Sequence, residues 1–118
     1  MQFISTKFHS KLDYIVGLFL IASPWIFNFN DTGPGCWMPI IAGFVAVIMS
    51  LFTDYEGGIV RSIPMPVHLA VDAFSGLALA ASPWLLGFAD EVFIPHLVFG
   101  LFEIAAATLT SRRAFAHD

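Results

Sequence analysis

The sequence predicts an all-α integral membrane protein: a four-helix bundle made of two tandem two-helix repeats. Three observations predict it. Of 118 residues, 58% are hydrophobic and only 12% charged, and the mean hydropathy is +0.80. A soluble domain carries about a quarter charged residues, because its surface must be wetted. The tripeptide Ser-Pro-Trp occurs twice, as Ser23-Pro24-Trp25 and Ser82-Pro83-Trp84, each with an aspartate ten residues ahead (Asp13 and Asp72). Both features keep one 59-residue offset (82 − 23 and 72 − 13), which points to one unit used twice. Finally, Lys7, Lys11, Arg61, Arg112 and Arg113 all fall where a four-pass topology has its cytoplasmic side, and both termini with them.

Residues 1–10 read as a cytoplasmic lead-in, with Phe3, Ile4 and Phe8 at headgroup depth. The first hairpin is expected over 11–53. Lys7 and Lys11 ahead of an apolar run also fit a signal peptide. Pro24 directly after Ala22-Ser23 disfavours cleavage, and the motif recurs at 82, where no signal peptide can lie. The first helix, over 11–29, is roughly 28 Å long, about the thickness of a bilayer's hydrocarbon. Asp13 sits near its cytoplasmic start, at the positive end of the helix dipole, solvated or paired with Lys11. Pro24 lacks the N–H that Leu20 C=O needs and should bend the helix, and Ser23 can bond back to soften the loss. Trp25 suits the outer boundary.

Gly, Pro, Asn and Asp crowd residues 28–39, the first outer connection, which also holds Cys36. A single cysteine excludes an internal disulfide or a CxxC site. Trp37 and Pro39 open a second helix over 38–53, along which Ala42, Ala46 and Ser50 make a small-residue stripe. Residues 54–65 are the cytoplasmic linker. The second hairpin, 66–111, starts with a helix over 66–87 that repeats the first: Asp72 and Gly76 stand as Asp13 and Gly17 do, and Ala80 extends the stripe. A connection over 87–95 leads to a fourth helix over 94–111, and residues 112–118 form a cytoplasmic tail. Trp25, Trp37 and Trp84 map to the outer side, Tyr14 and Tyr55 to the inner. Each unit crosses twice, so both insert in the same orientation.

Duplicated Ser-Pro-Trp motifs in the first helix of each hairpin resemble the SPW repeat family of small bacterial and archaeal membrane proteins. Ser23-Pro24-Trp25 and Ser82-Pro83-Trp84 carry the resemblance, with Asp13, Asp72, Trp37 and Gly43 beside them. It covers roughly residues 11–110. Ile94 departs from it, standing where Trp37 predicts an aromatic. The resemblance implies architecture and carries over no catalytic residue.

An ionisable side chain inside a membrane is costly and is a functional candidate by default. Asp72 has His68 one turn before it on the same face, and Glu103 reaches a similar depth from the fourth helix. The three can form a proton relay or a hard-metal site, or an interhelical hydrogen-bond cluster with the acid protonated or paired to Arg61, Arg112 or His68; the cluster is the reading adopted. His96 lies at the opposite membrane face, so the two histidines cannot share one haem. No base stands at the depth of Ser23 or Ser82, so neither is a nucleophile. The sequence thus predicts no enzyme, cofactor, metal or nucleic-acid partner. It predicts a structural or accessory subunit of the inner membrane, surrounded by lipid and self-associating through its small-residue stripes or joined to a larger complex. The alternative is a small ion or proton conduit using His68, Asp72 and Glu103.

Overall fold

The computed structural model describes residues 3–113, in which the chain forms four helices: α1 (Thr6–Ile26), α2 (Pro34–Leu51), α3 (Met65–Leu85) and α4 (Ile94–Leu109). No strand forms among the described residues. Two isolated bridges, Ile4–Thr110 and Thr53–Ile63, tie the segments ahead of α1 and α3 to the ends of α4 and α2. α1 packs mainly on α2, and α3 on α4, with far thinner contact between the two hairpins.

Close approach within each hairpin rests on glycine. A Cβ on Gly100 would lie 2.5 Å from Gly76 O, and one on Gly76 would lie 2.6 Å from Gly100 O. Gly17 and Gly43 meet in the same way, with Ala46 Cβ beside Gly17. Gly17, Gly43 and Ala46 of the first hairpin, and Gly76, Ala80 and Gly100 of the second, thus pack inside their hairpins.

Three element starts differ from the sequence reading. Residues 6–10, expected within the lead-in, are the first turns of α1, because Ser5 caps the helix (Phe8 N donates to its Oγ, 3.1 Å) and Ile4 is pinned to Leu109 O and Ser111 N. Residues 1 and 2 of that lead-in, and 114–118 of the tail, lie outside the described residues. α2 starts at Pro34, not 38, since Gly33 takes a left-handed turn (φ 61°) and proline is pre-set for a first helical position. Cys36 consequently sits buried in α2's first turn, not in a connection. α3 begins after Pro64, with Pro66 in its first turn.

Both Ser-Pro-Trp motifs lie in the last turns of their helices, which continue past the prolines to Ile26 and Leu85. Ser23 Oγ donates to Leu20 O and Ser82 Oγ to Leu79 O, each at 2.8 Å, replacing the N–H that the following proline lacks. Pro39 inside α2 frees the carbonyl of Gly35, and there the donor comes from another helix: His96 Nε2 on α4, at 2.7 Å.

Candidate functional site

The first two turns of α1 and α3 meet at one end of the molecule. His9 and Asp13, and likewise His68 and Asp72, are four residues apart and so share a helix face. His9 Nε2 lies 3.1 Å from Asp13 Oδ1 and 2.9 Å from Asp72 Oδ2. His68 Nε2 lies 3.0 Å from Asp13 Oδ2 and 3.1 Å from Asp72 Oδ2. The imidazoles are edge to face, 5.5 Å apart. His68 is wholly buried, His9 nearly so, and both carboxylates are 10% exposed.

Each imidazole is fixed from behind by a threonine of the other hairpin. His9 Nδ1 meets Thr110 Oγ1 and His68 Nδ1 meets Thr53 Oγ1, both at 2.7 Å. The single proton of each hydroxyl is already committed, Thr110's to Ala106 O (2.6 Å) and Thr53's to Met49 O (2.7 Å). Each oxygen must therefore accept, which assigns a proton to Nδ1 of both histidines and turns Nε2 of both toward the carboxylates. Tyr55 completes the set by donating to Asp13 Oδ2 at 2.6 Å. Its burial, and then the carboxylate beside it, push the phenol far above its ordinary range, so it stays a donor.

Beside these groups lies a cavity of about 30 Å³, lined by His9, Asp13, Asp72 and Glu103 among others. That is room for a water or two. Glu103 Oε1 is buried there with no hydrogen-bond partner.

The structure thus joins His68 to Asp72, as the sequence suggested, and places Glu103 on a small cavity that Asp72 lines and His68 does not. It corrects Asp13, expected to be solvated or paired with Lys11: the carboxylate points inward to two histidines and a tyrosine. His9 was missed. It lies in the stretch read as a lead-in, yet it stands 59 residues before His68, the same offset that relates the two aspartates (68 − 9 and 72 − 13). The remaining singled-out residues are architectural: Ser23 and Ser82 cap carbonyls, and Gly17 and Gly76 admit the neighbouring helix. His96 packs between Phe29 and Phe88 at the far end, with ring centroids 5.3 and 4.9 Å away.

Fold and site together define an all-α chain with a polar end and apolar walls. Two of its helices, Pro34–Leu51 and Met65–Leu85, are long and apolar enough to cross a membrane. Residues 7–110 match the family of the SPW repeat domain, and the chain belongs to that family. No curated protein and no solved structure matches it.

Proposed function

We propose that the protein is a multi-pass membrane protein of two tandem hairpins, with both termini cytoplasmic, acting as a structural or accessory subunit without chemistry of its own. The observation that carries the membrane reading is the distribution of burial: polar side chains are buried as often as apolar ones, and large apolar side chains face outward. The interior holds His9, Ser23, Ser50, Thr53, His68, Asp72, Ser82, His96 and Thr110, while Ile15, Leu18, Phe74, Leu77 and Leu85 are more than half exposed. Water would oppose that arrangement, and lipid tails suit it, since small and polar residues are what hold helices together there. Trp25, Trp37 and Trp84 are all exposed at the end where α1 and α3 finish and α2 begins, the belt expected at one interface.

Matched contacts support the duplication. The Ser-to-carbonyl bonds of α1 recur in α3 at the 59-residue offset, and the glycine contacts and threonine caps of α2 recur in α4 at 57 (100 − 43 and 110 − 53). What supports a structural role is how the polar groups are spent. Ser23, Ser82, Thr53 and Thr110 all satisfy backbone or histidine partners, and His9 and His68 each reach across to the opposite hairpin. Reporter tags at either end should be inaccessible from outside sealed cells, and the protein should co-purify with a partner or with itself. An end exposed outside sinks the topology; a solitary monomer sinks the accessory role.

One observation favours the second reading, an ion or proton conduit through His68, Asp72 and Glu103: the unpartnered Glu103 oxygen in a water-sized cavity that Asp72 also lines. Against it, the core toward the tryptophan end is filled by Leu20, Leu79, Phe29 and Phe88, all buried. Flux into vesicles that Glu103→Gln abolishes would decide for the conduit.

A further inference from the structure

We propose that His9, Asp13, His68 and Asp72 are the protein ligands of one divalent transition-metal ion that staples the two hairpins together. This rests on reading the cluster as the tie between hairpins, and it adds what the tie is made of.

Three features point to an ion. The first is the direction of the donors. With Nδ1–H of both histidines given to Thr53 and Thr110, both Nε2 atoms converge on two carboxylates, and one donor atom from each of the four residues lies within 4.8 Å of the others. At His9 a ring proton can bridge Nε2 to Asp72 Oδ2 at 2.9 Å, so His9 alone does not call for an ion. The second is His68 Nε2 itself. It is buried and 3.0 and 3.1 Å from two carboxylate oxygens, yet neither stands where a hydrogen bond from it would run. Protonating both histidines would also balance the charge, but a proton on His68 Nε2 would have no oxygen in line.

The third feature is spacing and support. Four ligands at ~2.0–2.1 Å in a tetrahedron stand ~3.3 Å apart, and higher coordination brings neighbours to ~2.9 Å. The four nitrogen–oxygen separations here run from 2.9 to 3.1 Å, with Asp72 facing both histidines through Oδ2 and Asp13 facing His9 through Oδ1 and His68 through Oδ2, so that Asp13 can bind through either oxygen or both. Behind the ligands stand the groups a metal centre uses to orient them: a hydroxyl accepting from each imidazole, and the Tyr55 phenol on Asp13. Two imidazoles and two carboxylates suit Zn²⁺, Mn²⁺, Fe²⁺ or Co²⁺; they lack the thiolates that select Cu⁺, and imidazole disfavours Mg²⁺ and Ca²⁺. Two carboxylates also neutralise a divalent ion inside a membrane. The adjoining cavity leaves space for a water on the ion, within reach of the side that Glu103 lines.

The test uses the full chain in detergent, purified without a histidine tag, stripped with chelator and titrated with Co²⁺ and then Zn²⁺. One Co²⁺ per chain should bind, with visible d–d absorption that Zn²⁺ removes, and Zn²⁺ should raise the unfolding temperature by several degrees. Affinity should fall at least 100-fold in His9→Gln and in Asp72→Asn and about 10- to 100-fold in Thr53→Val. His96→Gln, which alters a buried histidine at the other end, should bind normally. Absence of saturable Co²⁺ and Zn²⁺ binding by the folded, unmodified chain overturns the proposal, and so does binding that survives His9→Gln combined with His68→Gln. The first outcome needs no variant, so a variant that fails to fold does not shelter the idea. A failed topology experiment would leave the titration unchanged, which keeps the two readings separable.

Discussion

Replacing Ser23 by alanine tests whether the Ser-Pro pair is one device. The Ser23 hydroxyl donates at 2.8 Å to Leu20 O, the carbonyl that Pro24 cannot serve, and Ser23 is wholly buried. Ser23→Ala should leave that carbonyl unpaired, at a cost of about 1–3 kcal/mol, partly offset because a buried hydroxyl is removed. A net loss of ~1–2 kcal/mol is expected. In a Pro24→Ala background residue 24 regains its N–H and bonds Leu20 O itself, so Ser23→Ala should then cost less than ~0.5 kcal/mol. The coupling between the two changes should be ~1 kcal/mol, and Ser82 with Pro83 should give the same figure, since Ser82 Oγ meets Leu79 O at the same distance. Equilibrium unfolding in mixed micelles of the four variants measures it. Additive losses, with coupling below ~0.3 kcal/mol at both motifs, would show that serine and proline act independently.

Thr53→Val keeps the side chain's shape but removes the acceptor for His68 Nδ1–H, and Thr110→Val does the same for His9; each should cost ~1–3 kcal/mol in the same unfolding assay, while Thr108→Val, whose exposed hydroxyl bonds only Ala105 O, should cost almost nothing. Gly100→Ala would put a methyl 2.5 Å from Gly76 O and 2.6 Å from Ala80 N, backbone atoms that can yield only by parting α3 from α4; a loss of at least ~1–3 kcal/mol is expected, read as a lowered midpoint. Gly87 has φ 78° and Asn28, 59 residues earlier, has φ 60°, so Gly87→Asn should change stability by under ~0.5 kcal/mol whereas Gly87→Val should cost more than ~1 kcal/mol. Equal losses for asparagine and valine would refute that account of the turn.

The helices were legible because their signals are local and repeated: apolar runs, prolines at first turns, and a motif copied at a fixed offset. Ser23's bond to Leu20 was readable for the same reason, since a proline states which carbonyl it frees. The site was half legible. His68 and Asp72 stand one turn apart inside an apolar run, so their oddity shows. Asp13 did not show, because a carboxylate near a helix start has an ordinary explanation in the dipole and in a nearby lysine. His9 was hidden by a boundary: helix α1 begins earlier than its composition suggests, held there by Ser5 and by Ile4's bridge to a segment more than a hundred residues away. No local pattern encodes that bridge. The repeat does, for Ile63 ahead of α3 makes the same bridge to Thr53, and carrying the 59-residue offset back to every polar residue would have found His9.

The prolines and the histidines solve one problem between them. Under the membrane reading proposed above, lipid offers no hydrophobic drive to bring two hairpins together, so contact between them must come from close packing or from polar groups with nowhere else to bond. Glycine-to-glycine packing is used up within each hairpin, where Gly17 meets Gly43 and Gly76 meets Gly100. Between the hairpins, aromatic packing such as Phe19 on Phe99 is joined by polar ties that sit at both ends. At one end His9 and His68 each cross over to a threonine and an aspartate of the other hairpin. At the other, Pro39 strips a carbonyl of its in-helix donor and His96 crosses from α4 to supply one. A carbonyl freed by proline in α1 or α3 is served by its own neighbour, which leaves those helices self-sufficient; the carbonyl freed in α2 is served from outside, which makes α2 depend on α4. The same backbone defect is therefore neutral or adhesive according to which residue answers it, and the answering serine or histidine is what the sequence specifies.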